Sequence, residues 1–113
     1  MQYLTIGFPV RWWQLIDGCV DNSTSIDVVD GVIETVATGA CVRDAGWRTA
    51  AAYNGERDSY GWPPADWTLP ITLRRAHWEW VLSQLDRWEP YETGRHPDYG
   101  RLRPLIETAL SAG

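Results

Sequence analysis

The chain has 113 residues, 44% of them hydrophobic and 22% charged, with a formal net charge of −5. Those proportions belong to a globular domain and exclude a disordered chain. The acidic balance repels phosphate backbones, so no nucleic-acid partner is expected. The longest uninterrupted apolar run, residues 50–53, falls far short of the ~20 residues that span a bilayer, so no membrane role is expected either.

In chain order, Leu4, Ile6 and Phe8 alternate with a period of two, which predicts a half-buried strand over Tyr3 to Phe8. Pro9 suits a helix start. Trp12, Leu15, Ile16, Cys19 and Val20 then form one helical stripe from Val10 to Val20, and Asn22 to Ser25 reads as a turn. The stretch from Ile26 to Ala45 reads two ways. Asp30-Gly31 between β-branched residues is a hairpin signal. Val29, Val32, Ile33, Val36, Ala37, Ala40 and Cys41 also make a helical stripe, with Ser25 as cap and Gly46 as terminating glycine. Residues 47–67 are irregular, rich in aromatics and proline, with room for a short strand near Arg48 to Tyr53. Leu69, Ile71 and Leu73 predict a second strand. Trp78, Val81, Leu82, Leu85 and Trp88 predict a helix over Arg74 to Trp88. Glu89 to Pro97 reads as a loop. A last helix is expected from about Asp98 to Ala112, with Pro104 in its first turn.

The two halves can be laid over one another. At an offset of 65, Leu4, Ile6 and Phe8 meet Leu69, Ile71 and Leu73, and Trp13 meets Trp78. At an offset of 73, Ile33-Glu34-Thr35 meets Ile106-Glu107-Thr108. The expectation is an α+β domain built as a tandem β-α-α repeat, residues 3–46 and 68–112, related by a pseudo-two-fold and joined by 47–67. Its four helices would cover a small two- or three-stranded antiparallel sheet. The repeat favours helix over hairpin at Ile26 to Ala45.

Eight tryptophans against one Phe and one Met predict a core built largely of indole. All ten basic residues are Arg, which fits a high-GC coding bias and carries no functional meaning. If two antiparallel helices join near Asn22 to Ser25, Cys19 sits close to the turn and Cys41 ~24 Å beyond it, too far for a disulfide, so two buried free thiols are expected. Residues 1–13 lack the basic-then-apolar order of a signal peptide, and the cytoplasm is the expected compartment.

Chemistry is sparse. His77 and His96 lie on different elements and no Cys-x-x-Cys or His-x-x-x-His occurs, so no metal is expected. There is no Gly-x-Ser-x-Gly and no phosphate-binding glycine loop, so no catalytic residue and no cofactor are assigned. Asp17 and Asp21 share a helix face, as would Asp27, Asp30 and Glu34. Such carboxylates could bind a divalent cation or act in acid–base work, and stand as binding candidates, although solvated acids are expected on polar helix faces anyway. Tyr60, Trp62 and Trp67 are aromatic binding candidates in a loop, against the alternative that the indoles fold back over the core.

The function expected is that of a small acidic, non-catalytic protein that works by protein–protein interaction, as a regulator, inhibitor or immunity-type protein docking on a partner of basic character. Two alternatives stay open: a small-ligand binder or minor enzyme with a Trp-lined pocket, and a homo-oligomeric (for instance homodimeric) structural protein. Arg95, Arg101 and Arg103 oppose the acidic first half and could support head-to-tail association.

Overall fold

In a computed structural model, which describes residues 2–112, the chain is an α+β domain of two strands and four helices. The order is β1 (Tyr3–Pro9), α1 (Val10–Val29), α2 (Ile33–Ala51), β2 (Thr68–Arg74), α3 (Arg75–Glu92) and, after a single 3-10 turn at Tyr99–Arg101, α4 (Leu102–Ala112).

The period-two patterns become an antiparallel ribbon in which Leu4 faces Leu73, Ile6 faces Ile71 and Phe8 faces Leu69. These six side chains form one apolar face. The other face presents Tyr3, Thr5, Gly7, Thr68, Pro70 and Thr72, all exposed, with the Thr5 and Thr72 hydroxyls 2.7 Å apart. A two-stranded ribbon is marginal alone. Here α2 packs against β2, α4 against β1, and α1 against α3. The centre of the core is Phe8, Trp13 and Trp78, none of them exposed, with the two indoles meeting edge to face at 6.4 Å.

Both first helices leave their strands without a side-chain cap. Main-chain carbonyls from the other half satisfy them instead. The Val10 N–H donates to the Trp67 carbonyl (2.9 Å), and the Arg75 N–H donates to the Gln2 carbonyl (3.0 Å). At the offset of 65 these two bonds are counterparts, since Val10 matches Arg75 and Gln2 matches Trp67.

Several boundaries differ from the sequence expectation. α1 runs through Asn22 to Ser25 to Val29. The low helix propensity of that stretch is overridden by tertiary bonds: the buried Ser23 hydroxyl donates to Gln84 (2.6 Å) and accepts from the Trp88 indole (2.8 Å). The turn falls at Asp30-Gly31, where Gly31 adopts φ 76°, so this dipeptide joins two helices and no hairpin forms. No strand forms near Arg48 to Tyr53, because α2 continues to Ala51. Gly46 does not end α2. It lies inside the helix because the Trp13 indole occupies its Cβ position: a Cβ there would sit 2.2 Å from Trp13 Nε1. Cys19 and Cys41 are both free, but only Cys19 is buried; Cys41 is exposed.

The strand–helix–helix order occurs twice. Buried and exposed positions of α1 and α3 coincide closely at the offset of 65, and those of α2 and α4 at an offset of 60. Val42, Gly46 and Ala50 thus correspond to Leu102, Ile106 and Leu110. The expected triplet register at 73 is not the structural one, since Ile33 is 71% exposed at the start of α2 while Ile106 is fully buried within α4.

Replacing Gly46 by Ala should cost about 3 kcal/mol, because the fully buried Trp13 has nowhere to move. Gly18→Ala, where nothing lies within 4 Å of the added methyl, should instead stabilise α1 by about 0.5–1 kcal/mol. Urea unfolding of the two variants checks both signs.

Candidate functional site at the α1–α2 corner

The acids singled out in the sequence divide between internal ion pairs and open surface. Asp17 and Asp21 stand on α1 facing Arg43 of α2, which donates to Asp17 (3.1 Å) and Asp21 (2.9 Å). Asp27 receives a bidentate bond from Arg87 of α3, both contacts at 3.0 Å. This fork holds the Asp27 carboxyl below its ordinary range, a further hydrogen bond from Thr35 acting in the same direction. Three of the five acids therefore tie helices together. Asp30 and Glu34 are exposed and have no ion-pair partner among the described residues.

The aromatic loop is likewise divided. Arg57 organises it, donating to the Gly61, Ala51 and Tyr53 carbonyls (3.0, 3.2 and 2.6 Å). Asp58 accepts from the Tyr60 and Trp62 amides, each at 2.9 Å. The chain so bent lays Trp62 on Trp47, with ring centroids 4.1 Å apart, and leaves Trp62 only 7% exposed. Trp67 is half-buried, its ring at an edge of Tyr53. Tyr60 alone of the three reaches solvent fully, at 83% exposure. The structure therefore does not bring Tyr60, Trp62 and Trp67 together as one exposed platform.

Sequence reasoning missed the surface that stands out most. Around the α1–α2 turn, Ile26, Val28, Val29, Val32 and Ile33 are all exposed, Val29 to 83%. The stripe that would have buried Val29, Val32 and Ile33 together assumed one continuous helix. Breaking it at Gly31 rotates the two sides out of phase and turns these side chains outward. The signal available was the glycine itself, since only a left-handed residue lets the chain reverse there. Asp30 and Glu34 lie among these aliphatic residues, and the neighbouring Asp27 is neutralised by Arg87. The corner is thus apolar at its centre and net negative, with the Arg87 charge acting on both Asp27 and Asp30.

Two clefts lie away from this corner, one between α3 and α4 and one between α1 and the end of α3. One, of about 420 Å³, is lined by Leu85, Glu89, His96, Tyr99, Arg103 and neighbours; the other, of about 450 Å³, by Arg11, Cys19, Glu92 and His96 among others. No tryptophan lines either of them. Burial pushes the Cys19 thiol up to about 11, with the Glu92 charge adding to it, so this thiol stays protonated near neutrality. Among the described residues there is no group of three or more His, Cys, Asp or Glu side chains that could hold a metal, and no helix long and apolar enough to cross a membrane.

Comparison of the chain with protein-family models, curated proteins and solved structures returned no match.

Because the folded-state pKa of Asp27 is depressed, its bond to Arg87 stabilises the fold above the ordinary value of 3.8. That contribution is lost as the pH falls through the depressed value. Asp27→Asn should therefore be less stable than wild type at pH 7, with the gap closing as the pH is lowered past 3.8. Thermal melts of both chains over that range read the difference directly.

Proposed function

We propose that the protein is a non-catalytic docking protein whose contact surface is the α1–α2 corner, and that its partner presents an apolar groove edged with basic side chains. The observation that carries this reading is the contiguous exposure of Ile26, Val28, Val29, Val32 and Ile33 together with Asp30 and Glu34. Exposed aliphatic side chains scattered singly need no explanation, but five within eight residues, around one turn, form a patch of the kind that marks an interface. The apolar centre supplies affinity on desolvation. The unpaired carboxylates steer a basic partner and reject an acidic one. The net charge of −5 acts in the same direction over longer range. Docking of this kind suits a regulator, inhibitor or immunity-type protein acting in the cytoplasm.

We also infer that the chain arose by tandem duplication of a β-α-α unit. Three features support this: the reciprocal carbonyl caps on α1 and α3, the coincident burial patterns, and the matched arginine clamps. Arg43 of α2 grips α1 at positions 17 and 21. Arg103 of α4 grips α3 at the corresponding positions, the Leu82 carbonyl and the Asp86 carboxylate. In such a molecule the order of the two units should be exchangeable. Gln2 and Leu110 both bond to Arg75, so the ends lie near one another. A circular permutant opened in the loop at Gly55, with a short flexible link between the old ends, should fold with an unchanged near-ultraviolet dichroism spectrum; an unfolded permutant counts against the interchange.

The docking surface is tested by introducing Val29→Asp and Ile33→Asp together. Both side chains are exposed, so the melting temperature should stay within a few degrees of wild type. Affinity for the protein captured by wild type through cross-linking in low salt should fall about 100-fold, equivalent to ~2.7 kcal/mol. Undiminished affinity, or no capture by wild type at all, removes this reading.

A further inference from the structure

The second half of the chain departs from the first where α3 gives way to α4. At the offset of 60, the first turns of α2 correspond to residues 93–98, which are not helical. Where the first half projects a corner, the second half is left with the 420 Å³ cleft. That volume lies within the ~300–1,000 Å³ typical of small-molecule sites.

The floor of the cleft is apolar and fixed. Leu85 and Tyr99 are both buried, and the Tyr99 hydroxyl is committed to the Leu85 carbonyl at 2.5 Å. A ligand is therefore offered the ring rather than the hydroxyl. Pro97 and Pro104 add apolar lining, while Gly94 and Gly100 carry no side chain to fill the space.

Asp86, Glu89 and Arg103 are the charged side chains lining the cleft, with His96 beside them. Arg103 is already bonded to Asp86 and to the Leu82 carbonyl, with Glu107 at 3.7 Å, so it offers little to an anion. Glu89 has no ion-pair partner among the described residues. Glu92, which lines the neighbouring cleft, pairs with His96 at 3.3 Å. The field of these two acids reaches the cleft floor: with burial and the neighbouring Cys19, the Glu92 and Glu89 charges raise the Tyr99 hydroxyl above its ordinary range. An apolar floor beside a carboxylate that has no ion-pair partner suits an organic cation carrying an apolar part.

We propose that this cleft is a binding site for a small amphipathic amine, whose apolar part lies on Leu85, Tyr99, Pro97 and Pro104 and whose ammonium group pairs with Glu89. The site is separate from the α1–α2 corner and does not depend on its role.

Hexylamine is the probe, with hexanol and hexanoate as neutral and anionic controls of the same chain length, followed by amide shifts in ¹H–¹⁵N correlation spectra. Hexylamine should saturate the Gly94 and Gly100 shifts in the millimolar range, with hexanol about tenfold weaker and hexanoate weaker still. Glu89→Gln, at an exposed side chain with no ion-pair partner, should bring hexylamine down to the level of hexanol and leave hexanol unchanged. Gly100→Trp, which fills open space, should abolish the shifts of both. Equal binding of the three probes, an unchanged hexylamine affinity in Glu89→Gln, or saturable shifts confined to other parts of the chain would each overturn the proposal.

Discussion

Among the described residues, β1 and β2 have only each other as hydrogen-bonded strand neighbours, so the ribbon has to be held in shape by whatever lies on its apolar face. Three aromatic rings do this. Phe8 comes from β1, Trp13 from the first turn of α1 and Trp78 from the first turn of α3, and their mutual contacts set where both helices leave the strands. Trp78 finds a partner for its indole N–H in the Leu4 carbonyl at 2.9 Å. Trp13 finds none among the described residues: its Nε1 is buried without a hydrogen bond, an expense of ~1–3 kcal/mol. The packing of Trp13 on Gly46 must exceed that penalty for the indole to remain there. The closeness of α2 to α1 thus follows from the fit of one indole against one glycine.

Much of this architecture was legible from residue spacing. The strands follow from Leu4-Ile6-Phe8 and Leu69-Ile71-Leu73, whose period of two admits little else. α3 follows from a stripe that the structure buries at Trp78, Val81 and Leu85. What could not be read was any feature decided between elements distant in sequence. Ser23 looked like a turn residue because its only visible preference was local; its partners, Gln84 and Trp88, lie some sixty residues away. Gly46 looked like a helix end for the same reason, since nothing in the local sequence announces an indole packed against it.

The candidate surfaces show the same division. Asp17, Asp21 and Asp27 were visible as acids on helix faces, but Arg43 and Arg87, which engage them, could be paired with them only once the helices were placed. Conversely, Val29, Val32 and Ile33 resembled core residues because their type is apolar, and a three-residue break in a helix is enough to reverse which way such a stripe points. The cleft beside Tyr99 left no sequence trace at all: it is the space vacated where α4 begins later than its counterpart, and an absent turn has no residues to read.

The pairing of β1 with β2 also bears on how the chain acquires its shape during synthesis. Ile6 waits for Ile71, 65 residues further on, so the N-terminal strand leaves the ribosome well before its only partner. Through that interval α1 and α2 can form their hairpin, while Phe8 and Trp13 lack the Trp78 ring that will enclose them. The main-chain groups of β1 stay open to other strands until the second half is translated. Synthesis speed through residues 52–67, which separate the halves, therefore sets how long a sticky edge is on display, and slow codons there would favour misassembly over native closure.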